Sequence, residues 1–166
     1  MLEVTPHTVV GIGESEYCLV LLKEKDGPRL LPIWMRMRRA QPIVFWMKGI
    51  KLRRPQTHDL FVEVAERLGL KLVRACLYGI EKGVLLSSVV LRQDGEEISL
   101  ACNASDAITV AITKEIPITV ADEIMQVAGF KPEERRAETS LSESEEDEEK
   151  LAVWREFIEG LDMDGL

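Results

Sequence analysis

The chain has 166 residues, 46% of them hydrophobic and 30% charged, a balance that suits one globular domain with a sizeable core and excludes fibrous or wholly disordered classes. Its net charge of −8 is unevenly placed: residues 1–138 carry 19 basic and 19 acidic side chains, whereas residues 139–166 carry 2 and 10. No cationic and apolar leader opens the sequence and no apolar run reaches the length of a membrane span, so a cytoplasmic protein without a membrane partner is expected. Cys18, Cys76 and Cys102 lie in apolar, strand-like settings without metal-ligand spacing and read as reduced core thiols.

Leu2–Gly13 is rich in β-branched residues and predicts a strand with an irregularity at Pro6, which cannot donate to a ladder. Tyr17–Lys23 predicts a second strand, and the Asp26-Gly27 turn delivers the chain into a third, Arg29–Trp34. From Met37 to Lys48, Met37, Ala40, Val44 and Met47, with Ile43 and Trp46 beside them, predict a helix with a broad apolar face. Pro42 belongs in a first turn, which sets the regular start of that helix near Arg39. After Arg53-Arg54-Pro55, Thr57 reads as the N-cap of a second helix, with Asp59 answering its dipole and Leu60, Phe61, Val64, Ala65 and Leu68 as its buried stripe.

Lys71–Ile80, Val84–Arg92 and Glu96–Cys102 predict three further strands, joined by turns at Glu81-Lys82-Gly83 and Asp94-Gly95. Asn103 then reads as the cap of a helix over Ala104–Thr113, with Asp106 in the place a capping box gives to Glu or Gln. A short strand at Pro117–Val120 and a helix at Asp122–Ala128 follow. Strands in groups and helices in pairs predict an α+β fold: an antiparallel or mixed sheet built from two strand groups, with a C-terminal tail helix. The domain is expected over residues 1–130, an acidic disordered linker over 131–149, and an amphipathic helix over 150–166 carrying Leu151, Trp154, Phe157, Ile158 and Leu161.

Between Arg29 and Leu60 fall eight Lys and Arg residues against one acid, Asp59, the only concentrated positive field in the folded part and the natural contact for an anionic partner such as nucleic acid. LLPIW at Leu30–Trp34, RRPQTHDL at Arg53–Leu60, VLRQDGEEI at Val90–Ile98, SDAI at Ser105–Ile108 and the run Ile116–Ile124 together resemble the bifunctional nuclease domain family, in the family order. The resemblance implies DNase and RNase activity and agrees with the homodimer expected from exposed strand edges and the apolar C-terminal stripe; phosphodiester hydrolysis usually calls for a divalent metal ion such as Mg or Mn, whose ligands no spacing reveals. This chain departs from the family pattern at Arg36 and Arg39, where the family has Gly and Glu, and at Leu100, Asn103 and Ala104, where it has Asp and an Arg-Pro pair.

Phosphodiester hydrolysis needs an activated water and charge stabilisation at the phosphoryl oxygens. Within the matching blocks His58, Asp59 and Asp106 are the catalytic candidates, and Arg36, Arg38, Arg39, Arg54, Thr57 and Ser105 the substrate-binding ones. Each has a plainer role open to it. Asp59 and Asp106 also serve as helix caps, His58 packs in a first turn, Arg54 pairs with Asp59 or Asp106, Arg36, Arg38 and Arg39 form a solvated face, and Trp34 and Trp46 belong to the core. Two functions therefore stand open: a nuclease without marked sequence preference, and a catalytically weak or inactive relative that binds nucleic acid or protein.

Overall fold

The computed structural model describes residues 1–12 and 15–132. The expected terminal helix, and the expected acidic linker beyond its first two residues, lie outside the described residues. The elements are β1 (Leu2–Gly11), β2 (Tyr17–Glu24), β3 (Leu30–Arg36), α1 (Met37–Met47), α2 (Thr57–Arg67), β4 (Lys71–Glu81), β5 (Val84–Gln93), β6 (Glu96–Cys102), α3 (Ala104–Lys114), β7 (Ile118–Val120) and α4 (Asp122–Ala128).

Each strand group is a local antiparallel meander, because short turns join its members. Asp94 and Gly95 both take positive φ, 51° and 91°, the pair of values a two-residue hairpin with native strand twist requires. The meanders combine into one seven-stranded mixed sheet of order β3-β2-β1-β7-β4-β5-β6. β7 joins them: it runs antiparallel to β1, with Leu2 opposite Val120, and parallel to β4, with Ala75 opposite Ile118. The break in the β1–β2 register between Pro6 and Thr8 is the irregularity Pro6 predicted. α4 then returns the chain to the far edge strand, where Phe130 and Leu30 exchange both backbone hydrogen bonds at 2.8 and 2.9 Å.

Alternate side chains of the sheet point to one buried layer: Cys18, Val20 and Leu22 of β2, Leu31, Ile33 and Met35 of β3, Ala75 and Leu77 of β4, Val89 and Leu91 of β5. α3 lies over this layer, with every residue from Ser105 to Ile112 except Asp106 buried. α1 and α2 both pack against it. Full burial of a side chain such as Ile108 or Leu77 contributes about 1.5–3 kcal/mol, so α3 is the helix on which the layer depends.

Three local expectations are corrected. α1 begins at Met37, not near Arg39, because β3 feeds directly into it and the Met37 amide is taken by the Glu16 carbonyl at 2.7 Å; Pro42 therefore sits inside the helix. The cap of α2 is Gln56, one residue before Thr57, since Asp59 Oδ2 accepts from the Gln56 amide at 2.7 Å. The apolar faces are narrower than predicted: Val62 and Ala65 are the buried residues of α2, and Ala40 and Ile43 those of α1. Leu60, Val64, Leu68, Met37 and Trp46 are exposed instead.

Candidate functional site

Because α1 and α2 both pack against α3, side chains from all three helices meet at Asp106 in the first turn of α3. Its Oδ1 lies 3.3 Å from His58 Nε2, and its Oδ2 lies 3.3 Å from Asn103 Nδ2 and 3.7 Å from Arg39 Nη1. Asp106, Arg39 and His58 side chains are 38%, 40% and 23% exposed, so a dissolved substrate reaches all three. With Nε2–H donating to Asp106, the His58 ring keeps an acceptor lone pair on Nδ1, the tautomer a general base needs. The Asp106 charge is felt behind it as well: burial first, and then this carboxylate, raise the Cys102 thiol above its ordinary value.

Beside His58 the α1–α2 connection borders an open groove of about 710 Å³. Phe45, Trp46, Ile50 and Leu52 supply apolar lining, Lys51, Arg53 and Arg54 supply positive charge, and His58, Asp59 and Thr113 line it as well. Lys51, Arg53 and Arg54 are exposed, and none of them makes an ion pair among the described residues. Asp59 and Glu115 line the same groove, so three cations stand against two carboxylates and the local field keeps a net positive sign that draws anions to this side of the molecule.

The candidates named from the sequence divide into those the fold assembles and those it separates. Arg39, His58 and Asp106 come together. Asp59 and Arg54 line the groove, but Asp59 is turned to the Gln56 amide, and Arg54 pairs with neither Asp59 nor Asp106 among the described residues. Thr57 is exposed at the start of α2. The arginine run is split: Arg36 folds back onto Glu16 at 3.4 Å and over the Tyr17 ring at 5.5 Å, Arg38 is exposed, and only Arg39 reaches Asp106. Ser105 is buried, 4% exposed, with its Oγ unpartnered among the described residues. Trp34 is half-buried with its indole nitrogen enclosed, whereas Trp46 is 46% exposed at the groove. Lys51 and Arg53 enter the groove without having been singled out, although the four cations between Lys48 and Arg54 beside Trp46 were a visible signal.

Among the described residues no three His, Cys, Asp or Glu side chains gather as a metal-binding group. Asp106 already faces Arg39, whose charge opposes a second cation at the same carboxylate, and Asp59 is held by backbone. A Mg ion is ordinarily held by one or two carboxylates together with substrate phosphates and water, and both carboxylate candidates here are already engaged, Asp106 by Arg39 and His58 and Asp59 by the Gln56 amide, so they fit such an ion poorly.

A family model described as the bifunctional nuclease domain matches residues 20–133, which span β2 to α4 and contain every side chain of the site. Two Mycobacterium tuberculosis proteins, uncharacterized protein MT1877 of strain CDC 1551 / Oshkosh and uncharacterized protein Rv1829 of strain ATCC 25618 / H37Rv, are each 28% identical to this chain over 160 residues, 94% of this chain and 94% of theirs.

Proposed function

The chain belongs to the bifunctional nuclease domain family, and from that premise we propose that it binds nucleic acid along the groove and hydrolyses phosphodiester bonds of DNA and RNA there without marked sequence preference. Family membership supports a nuclease-like or nucleic-acid-binding role; the observation that carries the finer reading is the Arg39–Asp106–His58 cluster opening beside three unpaired cations. Asp106 holds the His58 imidazole with Nδ1 as acceptor. Nδ1 takes the proton of the attacking water while the new P–O bond forms and the bond to the leaving oxygen breaks, and the imidazolium then returns the proton through water to the leaving oxygen. Arg53 and Arg54 bear the charge that develops on the phosphoryl oxygens, and Arg39 holds the Asp106 carboxylate in place. Contacts to backbone phosphates and none to base edges explain the lack of sequence preference.

A second reading has its own support. Asp106 is shared by Arg39 and His58 and Asp59 caps α2, so neither carboxylate of the catalytic candidates stands free, as suits a relative that binds without cleaving. Incubating the protein with single-stranded DNA and RNA, with and without EDTA, separates the two. Cleavage that persists in EDTA and is lost in Asp106→Asn supports hydrolysis by the cluster. Salt-sensitive binding with intact substrate supports the binding module, and cleavage abolished by EDTA assigns the step to a metal ion and removes the mechanism given above.

The wider setting follows the same chemistry. No helix among the described residues is long and apolar enough to cross a membrane, and the three free thiols, two of them buried, suit a reducing compartment such as the cytoplasm. Leu60, Val64 and Leu68, exposed on successive turns of α2, offer apolar surface to a second copy, and a homodimer is the proposed assembly.

A further inference from the structure

The groove beside His58 has more apolar wall than phosphate binding requires. Trp46, 46% exposed, Ile50, 47%, and Leu52, 45%, are large hydrophobic residues on the same short stretch that carries Lys51, Arg53 and Arg54. A phosphate-tracking surface needs only the cations. The indole and its neighbours remain in water at a hydrophobic cost unless something flat and apolar covers them. Resting on the reading that this groove takes nucleic acid, the geometry points to a pocket for an unpaired base: Trp46 is the stacking platform, Ile50 and Leu52 extend its apolar wall, and the phosphates flanking that base lie on Arg53 and Arg54. The occupant is single-stranded nucleic acid, and duplex is discriminated against.

The size agrees, since 710 Å³ falls within the range of about 300–1,000 Å³ typical of small-ligand sites. Charge agrees too, because the three cations of the groove, none of them in an ion pair among the described residues, outnumber its two carboxylates, Asp59 and Glu115. In a duplex every base face is covered by its neighbours, so a base reaches an aromatic platform only when it is unpaired or turned out of the stack. Stacking on an aromatic side chain tolerates every base, consistent with a site that lacks sequence preference.

The test is fluorescence anisotropy of the full-length protein with a labelled single strand and with a blunt duplex of the same sequence, both with phosphorothioate linkages that resist cleavage. The single strand is expected to bind more tightly. Trp46→Ala is expected to lower single-strand affinity by about five- to a hundredfold and to leave duplex affinity unchanged, while Trp46→Phe retains most of it. Replacing Arg53 and Arg54 together by Ala is expected to flatten the dependence of log affinity on log salt by about 1.4, about 0.7 per lost phosphate contact on a single strand. Equal affinity for strand and duplex overturns the pocket, as does a Trp46→Ala loss that affects both alike. If Trp46→Ala changes neither, something else covers the groove, and the inference falls. A cleavage activity that depends on His58 survives each of those results, whereas failure to bind either oligonucleotide removes the nucleic-acid reading and the pocket together.

Discussion

Glu97 of β6 illustrates how single side chains hold the outer strand. Arg74 reaches its carboxylate with two nitrogens at 2.7 and 3.0 Å and Arg92 with one at 2.7 Å, and these bonds, Arg74's first, hold it down at about 2. A carboxylate whose folded value lies below its unfolded one binds fewer protons in the folded state, so its contribution is fully present above the ordinary value near 4.5 and is lost as pH falls toward 2. Wild type is therefore expected to exceed Glu97→Gln in urea midpoint at pH 6, with the gap closing between pH 4.5 and 2; a gap independent of pH would show that the ion cluster is not its source. Glu24 follows the same sign, its value lowered first by the Arg29 hydrogen bond. Single residues of the site were legible by type and not by role. His58, Asp59 and Asp106 stand out in the sequence, but Asp59 is spent on Gln56 and Arg39 takes the place expected of Arg54. Which side chains share a carboxylate depends on how α1, α2 and α3 pack, and no local pattern encodes that.

α1 carries a visible defect. With Met37 as its first residue, Pro42 leaves the Arg38 carbonyl without its intrahelical donor and sets a ring against it, a cost of about 3 kcal/mol in a helix interior. Pro42→Ala is expected to stabilise the protein by about 2 kcal/mol, the helix gain being reduced by about 1 kcal/mol of added unfolded-chain entropy. Thermal unfolding measures this; an unchanged or lowered midpoint would mean that the Pro ring makes packing contacts worth as much as the lost bond. The strands were read from sequence to within a few residues, because hairpin turns and alternation are local signals. Glu96–Cys102 and Asp122–Ala128 match their expected bounds. The helix faces were read less well. Apolar spacing marks Leu60, Phe61, Val64, Ala65 and Leu68 as a stripe, and Ala65 is buried as expected, but the packing of α2 on α3 and β4 turns Val62 inward and leaves Leu60, Val64 and Leu68 exposed.

The charge of the whole chain is polarised between the segment Arg29–Arg54 and residues 139–166. We propose that the acidic stretch, tethered to the same molecule and so at a high effective concentration, competes with nucleic acid for the basic groove. Ending the chain after Ala137 is expected to raise single-strand affinity about five- to thirtyfold at low salt and little at high salt, because exposed ion pairs are weak and screened. Equal binding by the two forms at low salt would make the tail a solubilising segment only. The pairing of β7 between the two meanders was not legible, since a three-residue strand that runs parallel to one neighbour and antiparallel to the other leaves no periodic trace. Yet that pairing sets α3 over the sheet and so brings Asp106 to His58. The most direct test of that consequence is chemical rescue. Cleavage of single-stranded nucleic acid by His58→Ala is expected to fall about 100-fold or more and to recover when imidazole is added. Wild-type cleavage rates in the variant, or a loss that imidazole leaves untouched in a folded protein, would contradict a general base at His58.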